Sequence, residues 1–375
     1  MTTFSDHARR DEAFMRAALA LARRGLGRTA PNPSVAALVV DETRDPPVVL
    51  GRGVTAPRGR PHAEAIAIRQ AGAAAHGATL YVTLEPCARR SERHFGPSCT
   101  ERILGSGIKR VVIGASDPSP FAAGEGATRL REAGIEVVEG VLAKEAGALN
   151  RGHCQRVRLH RPFVRVKLAQ TADGFAATAD RKPLAITGEE VRAKVHALRA
   201  EVDAILTGIG TVLSDNPRLD VRLPGMEALS PLRVVLDTHG RIPVDCAIIK
   251  DATRVPVLIV TAAPEVLLER LGTKEGVEIL AIPRGADGHL DIAVLMGALA
   301  ARGITRVMVE AGPILANAVA KAAFCDELVM FTAPHAIGNG VVAIGPDLAG
   351  WMTTTALTHL GQIGVDSMQI YTREA

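Results

Sequence analysis

Aromatic side chains are scarce: Phe, Trp and Tyr make up 3% of the 375 residues, with a single tryptophan. Single-stranded nucleic acid is gripped by stacking on exposed rings, so this scarcity argues against such a platform. A dominant charge is also missing. The 44 Lys and Arg against 40 Asp and Glu leave a net +4, short of a nucleic-acid binder's basic footprint but compatible with a small anionic substrate. Five cysteines, an odd number in a long chain, do not read as a disulfide framework. No stretch reaches roughly 18 uninterrupted apolar residues, and MTTFSDHARRDEAF contains no apolar leader core. The chain is therefore expected to be soluble and cytoplasmic by default, with no membrane partner. What is plentiful is aliphatic: 47% hydrophobic content is ample for cores. At about 150 residues per domain, the length predicts two or three domains.

The chemistry concentrates in Arg60–Cys99, which reads RPHAEAIA, then TLYVTLEPC, then a second cysteine after eleven intervening residues. His62 and Glu64 follow a proline that favours the first turn of a helix. Cys87 follows a β-rich run, Thr79–Leu84, and Pro86. Cys99 sits in Ser98-Cys99-Thr100-Glu101, a capping box that places it at the first helical position. There the positive end of the helix favours the thiolate that a metal needs. H-x-E followed by P-C and a further Cys is the pattern of zinc nucleobase deaminases. Two thiolates and one imidazole leave a fourth zinc position for water, whose pKa falls from ~15.7 to about 7. Glu64 is then placed to shuttle the proton from attacking water to leaving amine. The Cys87–Cys99 gap is longer than the common two residues, so His94 stands as an alternative ligand to Cys99.

Along the chain, Asp11–Leu26 reads as a helix and Pro31-Asn32-Pro33 as a rigid turn that fixes the Asn32 amide to read a heterocycle's edge. Strands at Val35–Val40 and Val48–Gly53 form a hairpin, and helix Ala63–Ala75 follows. Strands and short helices then alternate to Val138, an α/β layered domain over residues 1–150. Residues 151–161, dense in Arg and His with little apolar periodicity, read as a solvated linker. A second α/β series occupies 162–375. Within it Thr187-Gly188-Glu189-Glu190 reads as another capping box. Gly208-Ile209-Gly210 is a poor dinucleotide fingerprint, because Leu213 stands at the third glycine position and a strand–turn–helix setting is not expected. Glu310-Ala311-Gly312-Pro313 closes a strand and opens a helix, a better cradle for a diphosphate. Asp173-Gly174 and Asp215-Asn216-Pro217 are turns first, and functional only where their strand ends open onto one crevice.

Taken together, TAPNPSV, GRPHAEAIA, VTLEPC and RVVIGASDPSP in the first half, and RPFVRVKLAQTADG, ITGEEVRAKVHALRAEVDAILTGIGTVLSDNPRLDVR, VVLDTHGRIP and VMVEAGP in the second, closely resemble the bifunctional riboflavin-biosynthesis deaminase/reductase family. The resemblance covers nearly the whole chain. It implies a cytidine-deaminase-like α/β/α layered domain followed by a dihydrofolate-reductase-like α/β domain. The first would hydrolyse the exocyclic amine of 2,5-diamino-6-(5-phosphoribosylamino)pyrimidin-4-one; the second would pass a hydride from NADPH to the ribosyl C1, giving the ribitylamino-uracil phosphate. By motif, His62, Cys87 and Cys99 match the zinc ligands, Glu64 the proton shuttle and Asn32 the substrate-edge reader. Gln170, Thr211, Asp215 and the Gly312–Ala318 turn, with Pro313 and Ile314, match cofactor positions. Arg199, Leu219, Arg222 and Glu310 match substrate positions, two arginines serving one phosphate in bidentate fashion. The partner is a small pyrimidine nucleotide, and a homo-oligomer, dimer or tetramer, is expected.

Three departures stand out. The family often has His two residues after the first zinc Cys, where this chain has Arg89; it commonly has Ser-x-Trp where this chain has Pro183-Leu184-Ala185; and SDPSP replaces DPNP. The second change implies that one cofactor contact and one phosphate contact are lost or remodelled. Two other readings compete: a tRNA-type deaminase with an appended α/β module, and an inactive zinc-stabilised scaffold.

Overall fold

The structure is a computed structural model, and it describes residues 4–89, 96–120, 122–180 and 184–373. The chain divides into two compact units, Met1–Arg161 and Pro162–Ala375.

In the first unit a five-stranded sheet runs in the order β2-β1-β3-β4-β5. Its strands are β1 (Ala36–Asp41), β2 (Val48–Val54), β3 (Thr79–Leu84), β4 (Arg110–Ala115) and β5 (Glu136–Glu139). The first three pair antiparallel and the last three parallel. Helices α2 (Ala63–Ala71), α3 (Cys99–Ser106) and α4 (Glu125–Glu132) cover one face, where Ala63, Ala67, Ile103 and Leu130 pack on Val39, Leu80 and Val111. Helices α1 (Phe4–Arg23) and α5 (Ala143–Leu149) cover the other through Met15, Ala18, Ala146 and Leu149. The result is three layers, since a sheet apolar on both faces has to be covered on both.

Helix α2 lies against β2 at two glycines. A Cβ on Gly53 would come 2.1 Å from the Ala63 carbonyl, and one on Gly51 would come 2.2 Å from that of Ala67. Only backbone without a side chain permits that approach, and it sets the depth of the helix that carries Glu64.

Two expectations are corrected here. Residues 151–159 are not an irregular linker but a helix, α6 (Arg151–Leu159), and they belong to the first unit. It has no apolar stripe because what it buries is polar: His153, 8% exposed, meets Asp117 with Nε2 3.0 Å from Oδ1. Pro61 lies before the helix cap rather than in the first turn of α2, because His62 takes the cap position in extended conformation.

The second unit holds a nine-stranded sheet, ordered β11-β10-β9-β8-β12-β6-β13-β16-β15. Its elements are β6 (Phe163–Gln170), β7 (Phe175–Thr178), α7 (Glu189–Arg199), β8 (Ala204–Gly208), α8 (Ile209–Asp215), β9 (Leu232–Leu236), α9 (Ala247–Lys250), β10 (Val257–Thr261), α10 (Pro264–Leu271), β11 (Val277–Ala281), α11 (Ile292–Ala301), β12 (Arg306–Glu310), α12 (Pro313–Lys321), β13 (Glu327–Thr332), β14 (Gly340–Val342), α13 (Pro346–Thr353), β15 (Ala356–Ile363) and β16 (Asp366–Thr372). The strands from β11 to β13 are parallel, and β16 and β15 add an antiparallel edge. Leu295, Leu299, Val319 and Trp351 pack one face of the sheet; Val191, Leu198, Ile249 and Leu267 pack the other.

The anticipated capping box at Thr187 does not form. Gly188 is the cap of α7, and its N–H donates to the Asp366 carboxylate at 2.7 Å, so the chain enters the helix one residue later. The strand at Gly208 does run straight into a helix, contrary to expectation, so the G-x-G there fails as a fingerprint on its third position alone.

Because Gly53 cannot accept a Cβ without displacing α2, Gly53→Ala is expected to destabilise the protein by about 1–3 kcal/mol, the range for overpacking. A lowered thermal midpoint together with faster amide exchange in α2 would show it; unchanged exchange there would count against it.

Candidate active sites

The N-termini of α2 and α3 converge beyond the end of β3. His62 caps α2, Glu64 is its second residue, and Cys99 opens α3 behind a complete capping box in which Ser98 and Glu101 satisfy each other's main-chain N–H groups. Cys87 reaches the same point from the loop after β3. Thr100 pins that loop to α3 by donating from its main-chain N–H and its hydroxyl to the Cys87 carbonyl, at 3.2 and 3.1 Å.

His62 Nδ1 lies 3.3 Å from Cys99 Sγ and 3.8 Å from Cys87 Sγ. Ligand atoms of all three residues lie within 4.8 Å of one another, and among the described residues this is the group of metal-type side chains so placed. A tetrahedral zinc with Zn–S near 2.3 Å and Zn–N near 2.05 Å requires N···S edges of about 3.6 Å, so the donor set fits such an ion. The Cys99 main-chain N–H donates to Cys87 Sγ at 3.3 Å. The hydrogen bond with the Cys99 thiol, aided by His62 and that N–H against the cost of burial, draws Cys87 down to about 4, making it the thiolate of the pair. The same bond, with burial and the nearby Glu64, holds the Cys99 thiol up. Burial opposes a charged His62, but Cys87 and Glu64 outweigh it and raise its pKa. Glu64 is 3% exposed, and burial raises its carboxyl above the ordinary range.

Asn32 is drawn to the loop that carries His62: its amide N–H donates to the Gly59 carbonyl at 2.9 Å. Gly59 sits at φ +89°, and a Cβ there would strike the Asn32 side chain. His94 lies outside the described residues. Arg89 is exposed and forms an ion pair with Glu125 at the start of α4. In the SDPSP segment, Asp117 accepts from the Ser119 N–H at 2.8 Å as well as meeting His153.

In the second unit the expected residues gather at the carboxyl ends of parallel strands. The chain leaves β8 toward β9 and leaves neighbouring β12 toward β13, so the two exits diverge, as at the crevice where open α/β sheets bind ligands. Gly208 and Gly312 cap α8 and α12 there. Neither Gly210 nor Gly312 has anything within 4 Å of a would-be Cβ, and Ile314 is 73% exposed. Thr207, wholly buried at the end of β8, has a hydroxyl with no partner among the described residues. An open helix start and an orphaned hydroxyl at one strand edge fit a bound dinucleotide. Gln170 closes β6 and donates to the Thr332 hydroxyl at 3.2 Å. Thr211 and the exposed Asp215 lie one turn apart on α8.

Glu310 ends β12 and receives Arg199 through two bonds, Nε at 2.6 Å and Nη2 at 2.9 Å; Arg199 Nη1 also donates to the Asp220 carbonyl at 2.8 Å. The Arg199 guanidinium is thus largely engaged within the protein rather than standing open beside Arg222. Burial alone would raise Glu310, but Arg199 and Lys167 hold its pKa below the ordinary range. Lys167, which pairs with Glu310 in register across β6 and β12, was missed in the sequence. Its only signal there is a second basic residue, two positions after Arg165, in a strand whose alternate residues are apolar. Leu219 holds φ +51° with its side chain in the core, and the residue is buried. Trp351 is core, donating to the Cys325 carbonyl at 2.8 Å, and does not replace the missing Ser-x-Trp.

Residues 8–115 match the family described as the cytidine and deoxycytidylate deaminase zinc-binding region, and 162–367 match the RibD C-terminal domain. The riboflavin biosynthesis protein RibD of Aquifex aeolicus is 39% identical over 333 residues, 88% of this chain and 89% of that protein; the Escherichia coli protein is 37% identical over 340 residues, with 88% and 89% covered. Among solved structures, Acinetobacter baumannii RibD aligns with a TM-score of 0.83 and 33% identity over 98% of this chain and 100% of that one. A Thermotoga maritima diaminohydroxyphosphoribosylaminopyrimidine deaminase/5-amino-6-(5-phosphoribosylamino)uracil reductase aligns at 0.83 and 32%, with the same coverage. The α/β layering expected of both halves is present, with the first half matching the cytidine-deaminase family and the second the RibD C-terminal domain.

Burial would raise the Asp117 carboxyl, but His153 and the Ser119 N–H more than offset it and lower its pKa. A carboxyl lowered by folding stabilises the fold above its unfolded value, about 3.9, and loses that contribution as pH falls through the folded value. Amide exchange in α6 of the intact protein is therefore expected to accelerate below about pH 4. Asp117→Asn should already exchange fast at pH 7 and change little with acid; parallel pH profiles for the two proteins would refute the coupling.

Proposed function

Since the chain belongs to the family of bifunctional riboflavin-biosynthesis deaminase/reductases, we propose that His62, Cys87 and Cys99 hold the zinc ion of its hydrolytic half and that Glu64 carries the protons. The chain is a zinc-dependent pyrimidine deaminase joined to an NADPH-dependent reductase. It removes the exocyclic amine of 2,5-diamino-6-(5-phosphoribosylamino)pyrimidin-4-one and then reduces the ribosyl group to the ribitylamino-uracil phosphate. The observation that carries the site assignment is the trio of ligand atoms within 4.8 Å, beside a buried carboxyl.

Zinc, when bound, supplies the Lewis acidity that makes water nucleophilic near neutral pH. Glu64, its pKa raised toward the working range by burial, takes a proton from the attacking water and delivers it to the departing amine. Asn32, its N–H committed to Gly59, presents its carbonyl oxygen to the ring edge. Arg89, tied to Glu125, contributes charge where relatives' histidine would contribute a ring.

In the reductase, Gln170, Thr211, Asp215 and the Gly312–Ala318 segment, which the structure makes the cap and first turns of α12 rather than a turn, would hold NADPH, which supplies a hydride when bound. Glu310 stays ionised against Arg199 and Lys167 and accepts from the ribosyl hydroxyls, while Arg222 and the main chain at Leu219 face the substrate. Among the described residues no helix is long and apolar enough to cross a membrane. A cytoplasmic homo-oligomer, dimer or tetramer, completes the proposal. It is supported by β15, an eight-residue strand at the sheet edge with Leu357 and Leu360 exposed.

One coupled assay, following ammonia release and NADPH oxidation on the diaminopyrimidine phosphate, tests the whole reading. Glu64→Gln is expected to keep zinc and lose ammonia release by about 10²–10⁴-fold, the span of general acid–base catalysis. NADPH oxidation on the pre-deaminated intermediate should survive, and loss of both activities would argue against independent sites. Asp215→Ala should spare deamination and raise the KM for NADPH roughly tenfold, as loss of one charge-assisted hydrogen bond does; unchanged NADPH kinetics would remove Asp215 from the cofactor site.

A further inference from the structure

Asp220 is a wholly buried carboxylate surrounded by guanidinium groups. Oδ1 accepts from Arg222 Nη1 at 2.6 Å, and Oδ2 lies 2.6 Å from Arg254 Nη2 and 2.8 Å from Arg218 Nη2. Its main-chain carbonyl accepts Arg199 Nη1 at 2.8 Å and lies 3.1 Å from His196 Nδ1. One residue therefore holds both arginines assigned above to the substrate, Arg199 by its carbonyl and Arg222 by its carboxylate.

The charges do not balance. Arg218, Arg222, Arg254 and the buried Arg233 are joined by ion pairs to two carboxylates, Asp220 and Asp251, which leaves an excess of two positive charges. Arg218 and Arg222 are 50% and 48% exposed, so that excess faces outward. Asp220 rides on a segment whose backbone is already unusual, with Asn216 at φ +42° and Leu219 at φ +51°. That segment is fastened by Arg233 Nη1 donating to the Arg218 carbonyl at 3.0 Å and by Asn216 Oδ1 accepting the Ala247 N–H at 2.7 Å. A free arginine explores many rotamers and loses that freedom on binding; one tethered through a single Nη while its remaining donors point outward has lost it in advance. A buried carboxylate held between three arginines is costly unless every lone pair is used, and here both oxygens are.

We propose that Asp220 is a positioning residue of the reductase, presenting Arg222, with Arg218 beside it, in a fixed orientation to the phosphate monoester of the substrate. The inference rests on the assignment of Arg222 to the substrate made above. The same chemistry is offered by a second source, the 2′-phosphate of NADPH, and the kinetics separate the two.

The test uses the full-length enzyme and measures NADPH oxidation while the deaminated pyrimidine phosphate and NADPH are varied in turn, for Arg222→Ala, Asp220→Asn, Asp220→Glu and the double variant Asp220→Asn/Arg222→Ala. Ammonia release by the same samples normalises active protein. Arg222→Ala and Asp220→Asn are each expected to raise the substrate KM about tenfold, with kcat and the NADPH KM within about twofold. The double variant should lose clearly less than the product of the two single losses, because Asp220 acts mainly through Arg222 and otherwise only through Arg218. Asp220→Glu should recover part of the loss. A substrate KM unmoved by Arg222→Ala would sink the assignment of Arg222 itself. A rise for Arg222→Ala but none for Asp220→Asn would overturn the positioning role and leave that assignment standing. If the NADPH KM rises instead, the grip belongs to the cofactor. Additive losses, or a fall of kcat and NADPH affinity together in Asp220→Asn, would reduce Asp220 to a structural residue and overturn the proposal.

Discussion

The hydrogen bond from the Cys99 main-chain N–H to the Cys87 sulfur holds the first unit's chemistry together. It joins a strand-end loop to the first turn of a helix. In doing so it makes one thiol the acceptor of a helix start whose other N–H groups are already taken by Ser98 and by the Cys87 carbonyl. With the two sulfurs fixed, the only further demand is an imidazole, and His62 supplies it as the cap of a second helix pressed deep by Gly51 and Gly53. The site is therefore built by two helix N-termini meeting over one sheet, and the start of α3 supports the anionic form of the Cys87 sulfur that accepts its N–H, while the Cys99 thiol on the helix itself is held up.

Much of this was legible because the signals were local. Thr79–Leu84 coincides with its expected span, Glu310 closes a strand as expected, and the Ser98 capping box places Cys99 where its four-residue motif says it should be. What was not legible depended on distant partners. Helix α1 begins seven residues before the expected Asp11, because its first turns are polar and periodicity marks only the buried part. Helix α6 carries no apolar stripe because its buried contact is an imidazole meeting a carboxylate 36 positions away in sequence. The capping box at Thr187 was displaced by Asp366, 178 residues from Gly188. The strands β15 and β16 escaped notice because four consecutive residues of β15 are exposed, which erases the alternation that identifies a strand.

The reading as a nucleic-acid deaminase fails for a reason larger than any one residue. Matches to relatives extend across 88% of the chain and enter both halves, so the second unit is not an appendage to the first.

The two proposed sites put the same side chain to opposite purposes, and the surroundings decide which. Glu64 and Glu310 are both glutamates with less than a tenth of their surface exposed. Burial pushes each toward the neutral form. At Glu64 that push prevails: His62 opposes it and the neighbouring Cys87 adds to it, so the carboxyl is poised to pick up and release a proton. At Glu310 a bidentate arginine and a lysine in register overturn the push, and the carboxylate stays charged. A hydrolysis needs a group that changes protonation within one turnover, whereas holding a polyol for hydride transfer needs an acceptor that does not. What separates the two carboxyls is their charged neighbours: Arg199 and Lys167 outweigh burial at Glu310, whereas burial and Cys87 outweigh His62 at Glu64.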